Sequence, residues 1–175
     1  MSQLKVNSII PVSGVPTGGG GGIVQIKNAI KTDTQSAGGS SDFVDITGLS
    51  VAITPTSSSS KILICCNITA GHSATSNVSG FRLMRGSTPI AVGDVAGNRR
   101  QWTLGEMTFY SNTNNTTHSV GGTFLDSPST TSATTYKLQL YNKYNTIYIN
   151  RSGEDSDSEN HGRGVSAITV MEVSA

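Results

Sequence analysis

Charge is what this chain has least of. Only 13% of its 175 residues are charged, about half the usual share, and 12 basic residues face 11 acidic ones. A net charge of +1 gives no electrostatic footprint for nucleic acid or an anionic membrane surface, so neither is expected as a partner. So little charge also argues against disorder, which normally depends on strong self-repulsion. Long apolar runs are missing too. No span reaches membrane length, and the N-terminal residues lack the apolar core of a secretory signal, so no membrane insertion is expected. Cysteine is limited to Cys65 and Cys66. Neighbouring side chains on a strand point to opposite faces, which puts a bond between them out of reach. Both are expected as reduced core residues of a protein made in a reducing cytoplasm.

Helical periodicity is absent as well: nowhere do apolar residues recur at helical spacing over three turns. What fills the chain is Ser, Thr, Asn and Gly around short segments of period two. Strands are expected at Ile23–Ile26, Asp42–Thr47, Leu49–Thr54, Lys61–Ile68, Gly80–Arg85, Thr88–Val92, Gln101–Tyr110, His118–Leu125, Tyr136–Tyr141, Thr146–Asn150 and Ile168–Val173. Gly48 reads as a bend or bulge between two of them, and the stretch through Ala37–Ser41 as a polar loop. Lys61–Ile68, the most apolar segment, reads as a central strand covered on both faces. Tyr136–Tyr141 and Thr146–Asn150 around Asn142–Asn145 read as a hairpin. The last segment reads as a strand sealed into the sheet. Together these predict an all-β fold, a jelly-roll-like antiparallel β-sandwich.

Five consecutive glycines, Gly18, Gly19, Gly20, Gly21 and Gly22, divide the chain. Ordering such a run costs more backbone entropy than any other sequence, so it reads as a hinge. The division gives an extended N-terminal arm with its hinge over 1–22 and a sandwich body over 23–175. In the arm, Leu4, Val6, Ser8 and Ile10 alternate with Lys5, Asn7 and Ile9, the pattern of a strand that adds to another protein's sheet edge. Leu4, Lys5, Val6, Asn7, Ile9 and Ile10 are therefore the candidate anchoring residues.

Catalytic motifs are incomplete. Gly71-His72-Ser73 opens like a nucleophile elbow, but the closing glycine and the following helix are lacking. His72, His118 and His161 are too far apart in sequence for a zinc motif, and no metal or other cofactor is expected. Asp155, Asp157 and Glu159 alternate as in a calcium loop, but Asn160 and Ser166 stand where glycine and glutamate belong, which favours a solvated acidic turn. Trp102, the lone tryptophan, follows Arg99 and Arg100 closely. An aromatic face beside polar loops suits a saccharide platform, so Arg99, Arg100 and Trp102 form the candidate glycan contact; a core or interface position is the competing reading of Trp102.

Against these residues a resemblance can be set. Ser2–Ile9, Gly48–Val51, Thr54-Pro55, Phe124–Pro128 through Thr134–Tyr136, and Ile168–Val173 resemble the small tail-fibre-like, or virion appendage, proteins of tailed bacteriophages, marine ones especially. The resemblance spans most of the chain and carries no catalytic residue. It implies a non-enzymatic virion structural protein, β-rich and homotrimeric, assembled in the host cytoplasm and bound to capsid or tail proteins. A short fibre or a head decoration protein fits, since no shaft repeat separates arm from body. The alternative is a carbohydrate-binding module that reads host surface glycans.

Overall fold

A computed structural model of the chain describes residues 22–73, 78–105 and 115–174. All regular elements among them are strands: β1 (Ile23–Lys31), β2 (Gln35–Gly38), β3 (Val44–Ile53), β4 (Lys61–His72), β5 (Ser79–Arg85), β6 (Thr88–Ile90), β7 (His118–Asp126), β8 (Thr134–Asn142), β9 (Thr146–Ile149) and β10 (Ser166–Val173). Leu4, Lys5, Val6, Asn7, Ile9, Ile10 and Gly18 to Gly21 lie outside the described residues. Gly22 lies inside them. Its N–H donates to Ser174 Oγ and its carbonyl accepts from the Ser174 N–H, both at 3.0 Å.

The strands form two antiparallel sheets, and β4 organises the first. Its residues from Ile62 to Asn67 pair with both β7 and β10, which must therefore lie on opposite edges. Farther along, Ala70–His72 pair with β9. Thus β9 and β10 follow one another along one side of β4, and β1 and β2 flank them in the same way. Each couple behaves as one interrupted strand. Counted so, the described residues form eight strands, ordered first-eighth-third-sixth in one sheet and second-seventh-fourth-fifth in the other. This is a jelly roll, and the antiparallel sandwich is as expected.

Alternation builds the core. Ile62, Ile64, Cys66, Ile68 and Ala70 of β4 and Ile168 and Val170 of β10 face inward from the first sheet. They meet Leu49, Val51 and Ile53 of β3, Phe81 and Leu83 of β5, and Tyr136, Leu138 and Leu140 of β8. Each fully buried large side chain contributes about 1.5–3 kcal/mol over its exposed state. Gly48 takes φ +86°, a conformation costly for any side chain, where the β3–β8 register breaks between Asp45 and Ser50; the expected irregularity is there. The last strand, β10, lies between β1 and β4.

Four expectations need correction. The Tyr136–Tyr141 and Thr146–Asn150 segments are not a hairpin: β8 pairs with β3 and β5, whereas β9 pairs with β2 and β4 in the other sheet. Alternation shows that Leu138, Leu140, Ile147 and Ile149 all face the core, but not from which side. Over Lys61–Ile68 the β4 strand is buried on one face only, so Cys66 is in the core while Cys65, on the outer face, is half-buried. Gln35–Gly38, inside a stretch read partly as loop, is strand β2. Finally, Gln101–Gly105, the described part of an expected strand, forms only an isolated bridge from Leu104 to Phe81.

Polar side chains close the breaks. Asn150, at φ 63°, donates from Nδ2 to the carbonyls of Lys31 (2.8 Å) and Asp33 (2.9 Å), and its Oδ1 accepts from Ser166 Oγ (2.7 Å). One asparagine thus ties the β1–β2 break to the β9–β10 break. Buried Glu172 accepts from Gln25 Nε2 and from the Thr56 N–H and Oγ1, each at 2.7 Å. Burial alone would raise its pKa, but these donors, with Ser60, bring it down to about 2.

Candidate binding cleft

The cleft begins with a glycine. A side chain at Gly80 of β5 would collide with the indole of Trp102, so the ring lies against bare backbone there. The segment carrying the ring is held by main-chain groups: the N–H groups of Thr103 (2.9 Å) and Leu104 (3.1 Å) both donate to the Phe81 carbonyl. Thr103 Oγ1 adds two bonds, accepting from the Leu83 N–H and donating to the Ile90 carbonyl.

Trp102 meets two more rings. Phe43, just before β3, lies 5.8 Å away centroid to centroid, and Tyr141 of β8 lies 5.4 Å away; Phe43 and Tyr141 are 5.5 Å apart. Such tilted and edge-on pairs add about 0.5–1.5 kcal/mol each beyond area burial. Guanidinium groups cover the cluster. Arg82 sits 3.7 Å over Phe43, and Arg100 sits 4.7 Å over Tyr141 while donating to the Ser41 carbonyl at 2.9 Å. Burial, then the charge of Arg100, lowers the Arg82 pKa. Beyond them, Lys143 lies 5.0 Å from the Tyr144 ring centroid.

Arg100, Trp102, Tyr141, Lys143 and Tyr144 line a surface cleft of about 910 Å³, with Phe43 and Arg82 packed behind them; among the described residues its charged lining is Arg99, Arg100 and Lys143. Arg99, Arg100 and Trp102, singled out from sequence, therefore share one cleft. Phe43, Arg82, Tyr141, Lys143 and Tyr144 were not foreseen. The only local signal was Gly80, a glycine inside an apolar strand, which often marks a close approach.

The other candidates serve the fold. Ser73 Oγ accepts from the Thr146 N–H at 3.0 Å, and His72 Nε2 pairs with Ser79 Oγ at 3.0 Å, so the elbow-like residues bind different partners. His118 pairs across strands with Ala70, two residues from His72. Burial first, then the charge of His118, lowers the His72 pKa to about 4. In the acidic turn, Asp155 bridges Arg163 (2.6 Å) and Arg151 (3.7 Å), two residues paired in an isolated β-bridge. Its carboxylate closes the excursion between β9 and β10. Among the described residues no group of three or more His, Cys, Asp or Glu is placed to hold a metal ion.

Neither a family model nor a curated protein matches this chain. Two solved structures of infectious bursal disease virus, from the Gt and Gx strains, are similar to it with TM-scores of 0.46 and 0.45 and sequence identities of 13% and 12%. Each alignment covers 94% of this chain, which spans 44% of the length of either structure.

Proposed function

We propose that this protein is a non-enzymatic structural component of a tailed-phage virion: a homotrimeric surface appendage, a short fibre or head decoration protein, anchored through its N-terminal arm. Jelly rolls serve both as viral capsid domains and as lectins, so the fold is compatible with this reading without selecting it. The observation that carries the reading is in the sequence: Leu4, Val6, Ser8 and Ile10 alternate with Lys5, Asn7 and Ile9 ahead of a five-glycine run, the pattern of a strand that adds to another protein's sheet. Deleting residues 1–15 tests this: a folded body that no longer enters particles supports the anchor, and normal incorporation sinks it.

The homotrimer draws support from the outer face of the first sheet. Cross-strand register sets Ile26, Met171, Leu63 and Leu125 in one row over β1, β10, β4 and β7. Ile26 and Leu125 are each 57% exposed, and the row holds no charge. Apolar surface of this kind marks interaction sites, and further copies of the chain would cover it.

A second reading stands on the cleft: the displayed body also recognises host surface glycans. Three aromatic rings beside cationic side chains, on a sandwich tethered to a particle, suit contact with saccharide.

A further inference from the structure

We propose that the cleft takes an anionic saccharide, one bearing carboxylate or sulfate groups, in preference to a neutral sugar. The inference rests on the glycan-recognition reading and deepens it.

The first ground is where unneutralised charge sits. Lys31, Arg85, Lys137, Arg151 and Arg163 each lie within salt-bridge distance of a carboxylate: Asp33, Asp126, Asp45, and Asp155 twice. Among the described residues no carboxylate lies within that distance of Arg99, Arg100 or Lys143, the three charged residues of the cleft. Asp42 follows Ser41 in the chain, yet no acid stands among the described residues of the lining. Lys27 and Lys61 also have no carboxylate within that distance among the described residues, but they stand on β1 and β4; in the cleft three such cations meet.

The second ground is hydrogen-bond type. Guanidinium and ammonium groups donate and cannot accept. A neutral sugar presents hydroxyls, which need acceptors for their protons, and protein sites for such sugars supply carboxylates and amide oxygens. Here the Ser41 carbonyl at the rim already accepts from Arg100. Asn98, Ser40 and Ser41 add side chains that can accept, but every charged group of the described lining only donates, and the complement of such a cleft is a ligand that carries charged acceptors.

The third ground is preorganisation. Stacking over Tyr141 and the bond to Ser41 fix the plane of Arg100, and Phe43 does the same for Arg82 behind it. A guanidinium held flat loses less entropy on gripping a carboxylate or sulfate through two parallel bonds. Arg82 and Arg100 also repel each other, which an incoming anion relieves. Trp102 and Tyr144 line the cleft, and aromatic walls suit the carbon side of a sugar ring. A net charge of +1 supplies no basic stripe for a phosphate backbone to follow, which favours saccharide over single-stranded nucleic acid.

The test is calorimetric titration of the full-length protein with four probes of similar length: a uronic acid oligosaccharide, a sulfated galactan oligosaccharide, a neutral gluco-oligosaccharide and a single-stranded DNA oligonucleotide. One or both charged saccharides should bind at least about tenfold tighter than the neutral one, with affinity falling as salt rises. The two charged arms tell carboxylate from sulfate. Arg99→Gln with Lys143→Gln should remove most of that preference, while Trp102→Leu should weaken every saccharide. Because Arg100 also supports Ser41, Arg100→Gln is read only beside an unchanged thermal midpoint. Equal affinity for neutral and anionic saccharides overturns the inference and leaves glycan recognition standing. Binding of none of the saccharides overturns both, as does DNA binding tighter than any sugar.

Discussion

The Asn150 side-chain amide donates to the carbonyl of Lys31 at 2.8 Å, joining two strand interruptions that lie 119 residues apart in sequence. A second bond from the same nitrogen reaches Asp33, and Asn150 itself is at φ 63°. Asparagine tolerates that conformation better than most residues. Asn150→Ala should cost roughly 3 kcal/mol, combining backbone strain with buried carbonyls left without a donor. Asn150→Asp keeps the size but sets a carboxylate against two carbonyls, and should be at least as damaging. Denaturant unfolding of both variants measures this, and a mild Asp variant would contradict the donor role.

Acid should destabilise the fold in two stages. His72 has a folded pKa near 4, below its ordinary 6.5, so the unfolded chain takes up the proton first as pH falls. Its contribution is fully present above about pH 6.5 and is lost between there and about 4, amounting to roughly 3 kcal/mol. Glu172, held at about 2 by its hydrogen bonds, adds a second loss from about pH 4.5 downward. Unfolding free energies measured from pH 7.5 to 2.5 should show both slopes. His72→Gln should flatten the first and leave the second; if the first persists unchanged in that variant, its assignment to His72 fails.

The two cysteines should behave oppositely. Cys66 is buried, its thiol pKa pushed up to about 11 chiefly by burial, while Cys65 lies half-buried on the outer face. Native protein titrated with a thiol reagent should label one cysteine and release the second only in denaturant. Peptide mapping should place the first label on Cys65. Equal fast labelling would mean that β4 does not line the core.

Leu63→Asp and Met171→Asp, on the outer apolar row, should convert a trimer to soluble monomer with little loss of fold, because neither side chain lies in the core cluster. Sedimentation beside circular dichroism separates assembly from folding. A wild-type monomer at micromolar concentration contradicts the trimer outright.

Much of the sandwich was legible because alternation is a local signal. The Ile168–Val173 and Tyr136–Tyr141 segments declare their inner faces residue by residue, and Gly48 declares its bulge. Sheet membership is not local, which is why Tyr136–Tyr141 and Thr146–Asn150 resembled a hairpin although a crossover joins them. The interruptions were hidden for a related reason: Asn150 and Ser166 work through partners more than 90 residues away, in Lys31 and Thr69. The cleft was legible only through Arg99, Arg100 and Trp102, which are close in sequence. Phe43 and Tyr141 reach Trp102 from other parts of the chain, and only the fold assembles them.

Cryo-electron microscopy of intact particles, at a resolution that traces residues 1–22, tests the central claim most directly. The account predicts an external threefold density fitted by three sandwich bodies, with Leu4, Val6 and Ile10 of each arm seated on a capsid or tail protein and the glycine run between arm and body. A sandwich built into the shell itself, or particles that lack the chain, would contradict it.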